Sequence, residues 1–254
     1  MESYSGKNVI IIGGSHGIGL STAQLLVDKG AKVLVTGRSP APIEAAKQQL
    51  KADAEIVPCD ITSTAAISDL AQTVQSFFGA GQNIDLLFVN AGYASLEPFT
   101  AVSEDSFRRT FDTNVFGAFF VVQKLSPFLK DGGSIVFTTS VANQVGVPGM
   151  ATYSASKAAV RSFVQTLAAE LVGRKIRVNA VSPGFVKTPT MGIASASSDD
   201  LREFENQGAQ TTPLGRIGES TEVAQAVLFL AFEATFTTGS EVILDGGLTF
   251  LKAH

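Results

Sequence analysis

The stretch VIIIGGSHGIGLSTAQLLVDKG, residues 9–30, joins four branched apolar residues to a glycine-rich turn and then to an amphipathic segment. This order predicts a buried strand, a turn and a helix. A helix that begins at such a turn directs free backbone N–H groups and its positive end at one point, which suits a phosphate. Glycines at positions 13, 14, 17 and 19 let the backbone approach a ligand closely.

The spacing G-x-x-x-G-x-G differs from the common dinucleotide pattern G-x-G-x-x-G. Taken alone, the turn is also consistent with a purely structural role in packing the helix on the strand. The remainder of the chain has to decide between these two interpretations.

Composition restricts the classes of protein that the chain can represent. Its 254 residues are enough for one α/β domain spanning 1–254. Charged residues make up only 17% and hydrophobic residues 45%, which predicts apolar surface buried between subunits and hence an oligomer. A net charge of −4, with no cluster of Lys and Arg, predicts neither a nucleic-acid partner nor an anionic membrane partner.

The opening MESYSGKN lacks the pattern of a secretion signal, and no apolar run approaches the roughly 18 residues that span a bilayer. We therefore expect a cytoplasmic protein. Cys59 is the only cysteine, which excludes an internal disulfide and a cysteine-based metal cluster, so no metal is expected. The simplest role for Cys59 is that of a small buried apolar residue.

Short β-branched runs alternate with longer helical patterns along the whole chain. Strands are predicted at 9–12, 32–36, 55–57, 84–89, 134–139, 177–181 and 241–244, and helices at 18–29, 43–52, 65–78, 104–129, 152–171 and 222–232, with Ser63 and Ser103 as caps. This alternation predicts a doubly wound parallel α/β sheet of the Rossmann type, in which ligands bind beyond the carboxyl ends of the strands. The stretch from about 190 to 212 follows the sixth strand and contains a short helical piece at 199–206. It is either a surface insertion or a substrate lid.

Tyr153 and Lys157 lie four residues apart, on one face of a predicted helix. A nearby ammonium stabilises a phenolate, so Lys157 is expected to lower the pKa of Tyr153 and make it a usable acid or base. Ser140, at the end of the preceding strand, is placed to stabilise charge that develops on the same substrate oxygen. The pattern Y-x-x-x-K is common by chance in amphipathic helices, so it needs support from elsewhere in the chain.

That support comes from GGSHGIG, CD at 59–60, NAG at 90–92, TNVFG around Asn114, Ser140, the Tyr153-x-x-x-Lys157 pair, SPGFVKTP and LDGG. In order and spacing these motifs resemble the short-chain dehydrogenase/reductase family, from Lys7 to about Leu248. The resemblance implies a seven-stranded Rossmann sheet, a nicotinamide cofactor, a homotetramer and hydride transfer to or from a carbonyl. Ile12 and Val89 depart from the family pattern, which usually has Thr and Asn there.

Carried over residue by residue, the resemblance makes Tyr153 the proton donor and Ser140 the anchor of the substrate oxygen. Lys157 would modulate Tyr153 and bind the nicotinamide ribose, and Asn114 would interrupt a helix to hold a relay water, unless it only packs on the helix face. Asp60 would contact adenine, although by itself it is also consistent with a cap or turn residue. The implied cofactor-binding set is Gly13, Ser15, His16, Gly17, Ile18, Gly19, Arg38, Asp60, Ile61, Asn90, Ala91, Gly92, Tyr153, Lys157, Pro183, Gly184, Val186 and Thr188.

The end of the second predicted strand indicates which cofactor is preferred. NAD-specific relatives generally place a carboxylate there for the ribose hydroxyls, whereas this chain has Gly37 followed by Arg38. The planar guanidinium of Arg38 suits a 2′-phosphate, so NADP(H) is expected over NAD(H). The alternative is that Arg38 is a solvated loop residue. His16 is either a second polar contact or a turn residue without a ligand.

The residues expected around the substrate are largely apolar, namely Tyr93, Val141, Asn143, Gln144, Val145, Met150, Phe185 and Met191. They favour reduction of a hydrophobic or aromatic ketone to its alcohol, and a 3-oxoacyl thioester is an alternative. A non-catalytic NADP-binding sensor or scaffold is the alternative from another class. The presence of Ser140, Tyr153 and Lys157 together argues against it.

Overall fold

The computed structural model describes residues 3–50, 54–79, 81, 83–190 and 197–251. Its nine strands, within that part of the chain, are β1 (Asn8–Ile12), β2 (Lys32–Gly37), β3 (Ala54–Pro58), β4 (Ile84–Val89), β5 (Leu129–Thr138), β6 (Arg177–Pro183), β7 (Val186–Lys187), β8 (Gly218–Glu219) and β9 (Glu241–Leu244). Seven of them form one parallel sheet in the order β3-β2-β1-β4-β5-β6-β9. The predicted fold class is therefore confirmed. The short β7–β8 pair, two residues in each strand, was not predicted.

Helices cover both faces of this sheet. They are α1 (Gly17–Asp28), α2 (Pro40–Gln49), α3 (Thr64–Phe78), α4 (Glu104–Phe111), α5 (Ala118–Leu125), α6 (Ala151–Leu171), α7 (Ser198–Thr211) and α8 (Ser220–Leu228). The predicted caps are confirmed, because the Ser63 side chain accepts from the Ala66 N–H and that of Ser103 from the Ser106 N–H. No helix in the described ranges is long and apolar enough to cross a membrane.

The prediction of one helix over 104–129 was wrong. Helix α4 ends at Phe111, a π-helical turn covers Asp112–Gly117, and α5 ends at Leu125. Pro127 cannot continue an α-helix and lies in a 3₁₀ turn, after which β5 begins at Leu129, five residues before its predicted start. A π-helical turn also follows α8, at Phe229–Glu233. Such turns are frequent at functional sites.

Two apolar cores hold the layers together. Ile10, Ile12 and Phe137 of the sheet belong to the core that includes side chains of α3, α5 and α6. The other core joins Ile11 and Phe88 to side chains of α1, α2 and α8. Because both faces of the sheet are covered, the strands consist of nearly continuous apolar runs.

The chain order reverses between β1 and β4, its two neighbouring central strands. From β1 the strands proceed to β2 and β3 in one direction, and from β4 to β5, β6 and β9 in the other. In doubly wound sheets the crevice at this reversal, beyond the carboxyl ends of the strands, binds ligands. The glycine turn follows β1 directly, and residues 90–92 follow β4.

Candidate active site

The turn after β1 contains glycines that leave little room for a side chain. Gly13 has a φ of +82°, and a Cβ added to it would lie 2.5 Å from the Ala91 Cα. Gly17 has a φ of +56°. A Cβ on Gly19 would lie 2.3 Å from the Gly13 carbonyl oxygen. The turn therefore packs tightly against the loop after β4.

Hydrogen bonds from neighbouring strand ends fix this turn. The Gly13 N–H donates to Thr36 Oγ1 (3.2 Å) and the Gly14 N–H to the Thr36 carbonyl oxygen (2.8 Å). Asn90 Nδ2 donates to the Gly13 carbonyl oxygen (2.6 Å), and Thr138 Oγ1 donates to Asn90 Oδ1 (2.9 Å). Sequence reasoning missed Thr36 and Thr138. Both are hydroxyl residues at the end of apolar strands, and that was the available signal.

The start of α1 has the features of an anion site. Its first turn contains no acidic residue, and its leading N–H groups have no acceptor within the helix. A Cβ on Gly17 would lie 3.1 Å from Thr188 Cγ2, so the segment after β6 reaches this turn. Burial lowers the pKa of the His16 imidazole, which keeps it neutral at neutral pH. This small, uncharged cradle fits the pyrophosphate of a dinucleotide.

The end of β2 lies beside the same turn. Gly37 is buried, and a Cβ added there would lie 2.9 Å from both Ser15 Cβ and Ile43 Cγ1. Its φ is not in the left-handed region, so the obstacle to a side chain is space. The next residue, Arg38, is exposed, and no carboxylate of the described chain forms an ion pair with it.

Asp60 and Ile61, which follow β3, have different environments. Asp60 is exposed, and its Oδ1 accepts from the backbone N–H (3.0 Å) and the hydroxyl (2.8 Å) of Thr62. The turn role considered for Asp60 is therefore present. Ile61 is buried, and its side chain lies 2.7 Å from where a Cβ on Gly117 would be. Ile61 thus packs against the π-helical turn.

Ser140, Tyr153 and Lys157 converge at the end of β5. Lys157 is 4% exposed, and its Nζ donates to the Thr138 carbonyl oxygen (2.8 Å). The same Nζ lies 5.7 Å from the centroid of the Tyr153 ring. The Ser140 hydroxyl is close enough to the Tyr153 phenol to lower the pKa of that phenol. The structure therefore brings together three residues that 17 positions separate in the sequence.

Burial controls the titration of this group. It raises the pKa of the Tyr153 phenol, against the smaller lowering effect of the Ser140 hydrogen bond. It also lowers the pKa of Lys157 to about 8. The expected lowering of the Tyr153 pKa by Lys157 is thus corrected for this structure, because desolvation outweighs every stabilisation of the phenolate. The phenol is protonated at neutral pH, the form required of a proton donor.

Asn114 lies in the π-helical turn and forms hydrogen bonds with the loop after β4. Its Oδ1 accepts from the Tyr93 N–H (2.7 Å), and its Nδ2 donates to the Tyr93 carbonyl oxygen and to Ser156 Oγ (both 2.9 Å). Asn114 is 1% exposed. The predicted interruption of the helix is present at this residue, and its role in a relay of protons remains a prediction.

The loop after β6 is braced by the LDGG motif. The Gly184 N–H donates to the Leu244 carbonyl oxygen (3.0 Å), and a Cβ on Gly184 would lie 2.8 Å from Asp245 Cβ. Pro183 ends β6, and Val186 is buried in β7. The turn after β9 therefore packs directly against the loop after β6.

The predicted substrate residues do not all have the same surroundings in the structure. Tyr93, Val141, Val145, Met150 and Phe185 lie on the segments that follow β4, β5 and β6 or that lead into α6. The side chains of Asn143 and Gln144 donate to Glu241, a residue that sequence reasoning missed (2.8 and 2.9 Å), and their contact with a substrate stays a prediction. Met191 lies outside the described residues. Phe185 packs on Phe204 of α7, with ring centroids 4.9 Å apart.

Comparison with known proteins identifies the class that this fold and site define. A family model described as enoyl-(acyl carrier protein) reductase matches residues 13–249. A mouse (Mus musculus) L-fucose dehydrogenase is 36% identical over 96% of this chain and 89% of its own length. A glucose 1-dehydrogenase of Gluconobacter oxydans is 34% identical (98% and 94%), and a 3-oxoacyl-[acyl-carrier-protein] reductase of Chlamydia pneumoniae is 32% identical (96% and 98%).

Solved structures of similar proteins point to the same family as these relatives. A short-chain dehydrogenase/reductase family protein superposes with a TM-score of 0.86 at 36% identity, over 99% of this chain and all of the other. A Serratia marcescens short-chain dehydrogenase/reductase variant gives the same TM-score at 29% identity, over 96% and 98%. The chain belongs to the short-chain dehydrogenase/reductase family, whose members are oxidoreductases that use nicotinamide cofactors.

Proposed function

We propose that this protein is an NADP(H)-dependent carbonyl reductase that converts a ketone to its alcohol, reversibly. The observation that carries the proposal is the convergence of Ser140, Tyr153 and Lys157 at the carboxyl end of the sheet. It lies beside a glycine cradle that fits a dinucleotide. A binding module would need the cradle and not the buried tyrosine and lysine.

The side chains have separate tasks in this proposal. Tyr153 donates its phenolic proton to the substrate oxygen, and Ser140 Oγ donates a hydrogen bond to that oxygen as charge develops on it. When bound, the nicotinamide supplies the hydride that reduces the carbonyl carbon. Lys157 holds the ribose and places a positive charge beside Tyr153, while Asn114 keeps the loop after β4 in place.

The preference for NADP(H) rests on the end of β2. In NAD-specific relatives a carboxylate at this strand end binds the ribose hydroxyls. At position 37 such a side chain would need space that Ser15 and Ile43 already occupy, so it would not fit without rearrangement. The exposed Arg38 guanidinium is available for a 2′-phosphate. We accordingly expect NADP(H) to bind more tightly than NAD(H).

The substrate is proposed to be a hydrophobic or aromatic ketone. Asn143 and Gln144 use their side chains to bind Glu241, and the other predicted side chains in the described residues are Tyr93, Val141, Val145, Met150 and Phe185, of which only Tyr93 carries a polar group. The segment 190–212 is proposed as the lid. Its helix α7 is joined to the loop after β6 by the Phe185–Phe204 contact and by an ion pair between Lys187 and Glu205 (2.7 Å).

Reduction of a 3-oxoacyl thioester is the second candidate, favoured by the Chlamydia pneumoniae relative and the matching family model. The relatives also include sugar dehydrogenases, so the oxidation of aldoses is measured as well. A non-catalytic NADP sensor predicts cofactor binding without turnover.

Turnover with a panel of substrates tests these candidates together. NADPH and NADH oxidation is followed with hydrophobic ketones, diketones and 3-oxoacyl thioesters, and NADP⁺ and NAD⁺ reduction with aldoses. We expect the highest kcat/KM for an apolar ketone with NADPH. Thermal stabilisation by NADPH without turnover on any member of the panel would favour the sensor.

We also propose a homotetramer, in the cytoplasm, as the sequence predicts. Large apolar side chains are exposed where subunit contacts are expected: Phe107 on α4, Phe116 in the π-helical turn, and Phe250 and Leu251 in the tail. Helix α6 and strand β9 would complete these contacts. Sedimentation at micromolar concentration should give four chains, and a monomer would contradict the proposal.

A further inference from the structure

Glu241 forms a buried polar cluster with residues on both sides of Ser140 in the sequence. Its carboxylate is 7% exposed and accepts from the side chains of Asn143 and Gln144. The Thr139 hydroxyl lies within hydrogen-bonding distance of Glu241 Oε1 (2.5 Å), and Arg161 Nε lies 3.2 Å from Oε2. One carboxylate thus binds the residue before Ser140 and two residues shortly after it.

Strand register explains how a residue of the last strand reaches this site. Glu241 opens β9, yet it pairs with Ala180 of β6, which pairs with Phe137 of β5. Phe137 in turn lies level with Val89, at the end of β4. Glu241 is therefore at the height where the central strands end and the site begins.

The contacts of Glu241 lie on both sides of the Ser140 backbone. Ser140 is the N-cap of the 3₁₀ turn Val141–Asn143, and its Oγ accepts from the Ala142 N–H (3.3 Å). Glu241 contacts Thr139, the residue before this N-cap, and Asn143, the last residue of the turn. Its removal would free the Asn143 side chain and leave Thr139 held only by the Val181 carbonyl oxygen, which accepts from the Thr139 N–H (2.9 Å) and hydroxyl (3.0 Å).

We infer that Glu241 is a positioning residue for Ser140, acting through Thr139 and Asn143. This inference rests on the proposed carbonyl reduction, in which Ser140 binds the substrate oxygen. A displacement of about 1 Å in a reacting group can cost about a hundredfold in rate. Loss of Glu241 should therefore reduce kcat by about tenfold to a hundredfold while NADPH affinity stays unchanged.

The test is a double-mutant cycle on kcat with the best ketone of the panel. Residues that act as a unit are strongly non-additive. If Glu241 acts through Ser140, the pair Ser140→Ala with Glu241→Ala loses little more than Ser140→Ala alone. Glu241→Gln keeps one carbonyl oxygen for Thr139 and Asn143, so its kcat should lie between wild type and Glu241→Ala.

Asp85→Asn is the matched control, because Asp85 is a carboxylate of equal burial that pairs with Lys7 and Lys130 at the other end of the sheet. Multiplicative losses in the cycle, or a kcat for Glu241→Gln equal to that of the control, would overturn the inference and leave the proposed function standing. Should Glu241→Ala fail to fold, Glu241→Gln decides alone. Absence of turnover in wild type would overturn both.

Discussion

Asp85 and Glu241 are carboxylates buried to a similar degree, with exposed fractions of 8% and 7%, at opposite ends of one sheet. Asp85 accepts from the Asn8 N–H and pairs with Lys7 and Lys130 where β1 and β4 begin. Glu241 contacts the residues that flank Ser140. A carboxylate therefore joins strands at the amino end of the sheet, and another contacts the segment that carries Ser140 at the carboxyl end. The following predictions test this division.

Tyr153→Phe, at the carboxyl end, should have the largest effect. The ring remains and the transferable proton is lost, so kcat should fall by about 10²–10⁴ while the melting temperature and NADPH affinity stay close to wild type. Steady-state kinetics and NADPH fluorescence titration check this. Turnover near the wild-type value would remove Tyr153 from the mechanism.

Lys157→Met should lower kcat by about a hundredfold and also weaken NADPH binding, because Lys157 serves both the phenol and the ribose.

The effect of Lys157 on stability has a defined sign. The folded pKa of about 8 is below the ordinary 10.5, so the unfolded chain binds more protons between these values and wild-type stability rises with pH across this window.

Thermal unfolding of cofactor-free protein measures that second effect. Relative to wild type, Lys157→Met should be most stable at pH 7 and should lose this advantage by pH 10. If the difference in stability between the two proteins were the same at all pH values, the pKa of Lys157 would not be lowered in the folded protein.

Arg38→Ala should separate the two cofactors. It removes charge-assisted hydrogen bonds to the 2′-phosphate worth about 1.5–3 kcal/mol each, so kcat/KM for NADPH should fall roughly tenfold to a hundredfold. NADH, without that phosphate, is the control and should be almost unaffected. Equal losses with both cofactors would assign Arg38 to the support of the loop.

Asp85→Asn, at the amino end, should have the smallest effect on activity. Loss of hydrogen bonds to a charged group costs about 1.5–3 kcal/mol, which lowers the melting temperature by roughly 3–10 °C in a domain of this size. kcat and both KM values should match wild type. A loss of activity without a loss of stability would contradict the division between the two ends.

The amino-acid sequence predicted the seven strands and the residues that follow them, because apolar runs and glycine turns are local signals. The resemblance implied that Asn114 interrupts a helix, but neither the π-helical form of this break nor its partners were predicted, since the bonds from Asn114 to Tyr93 and Ser156 join distant segments. Glu241 was missed for the same reason, as its partners lie about a hundred residues away. The sign of the Tyr153 pKa shift depends on burial, which spacing alone does not reveal.

The most direct test of the central claim is to follow the hydride itself. NADPH carrying deuterium at both C4 positions is incubated with the enzyme and its best ketone, and the alcohol is analysed by mass spectrometry and NMR. The account predicts one deuterium on the carbinol carbon for each NADPH consumed, and almost none in the same time with Tyr153→Phe. Unlabelled alcohol, or NADPH that is bound and never consumed, would contradict it.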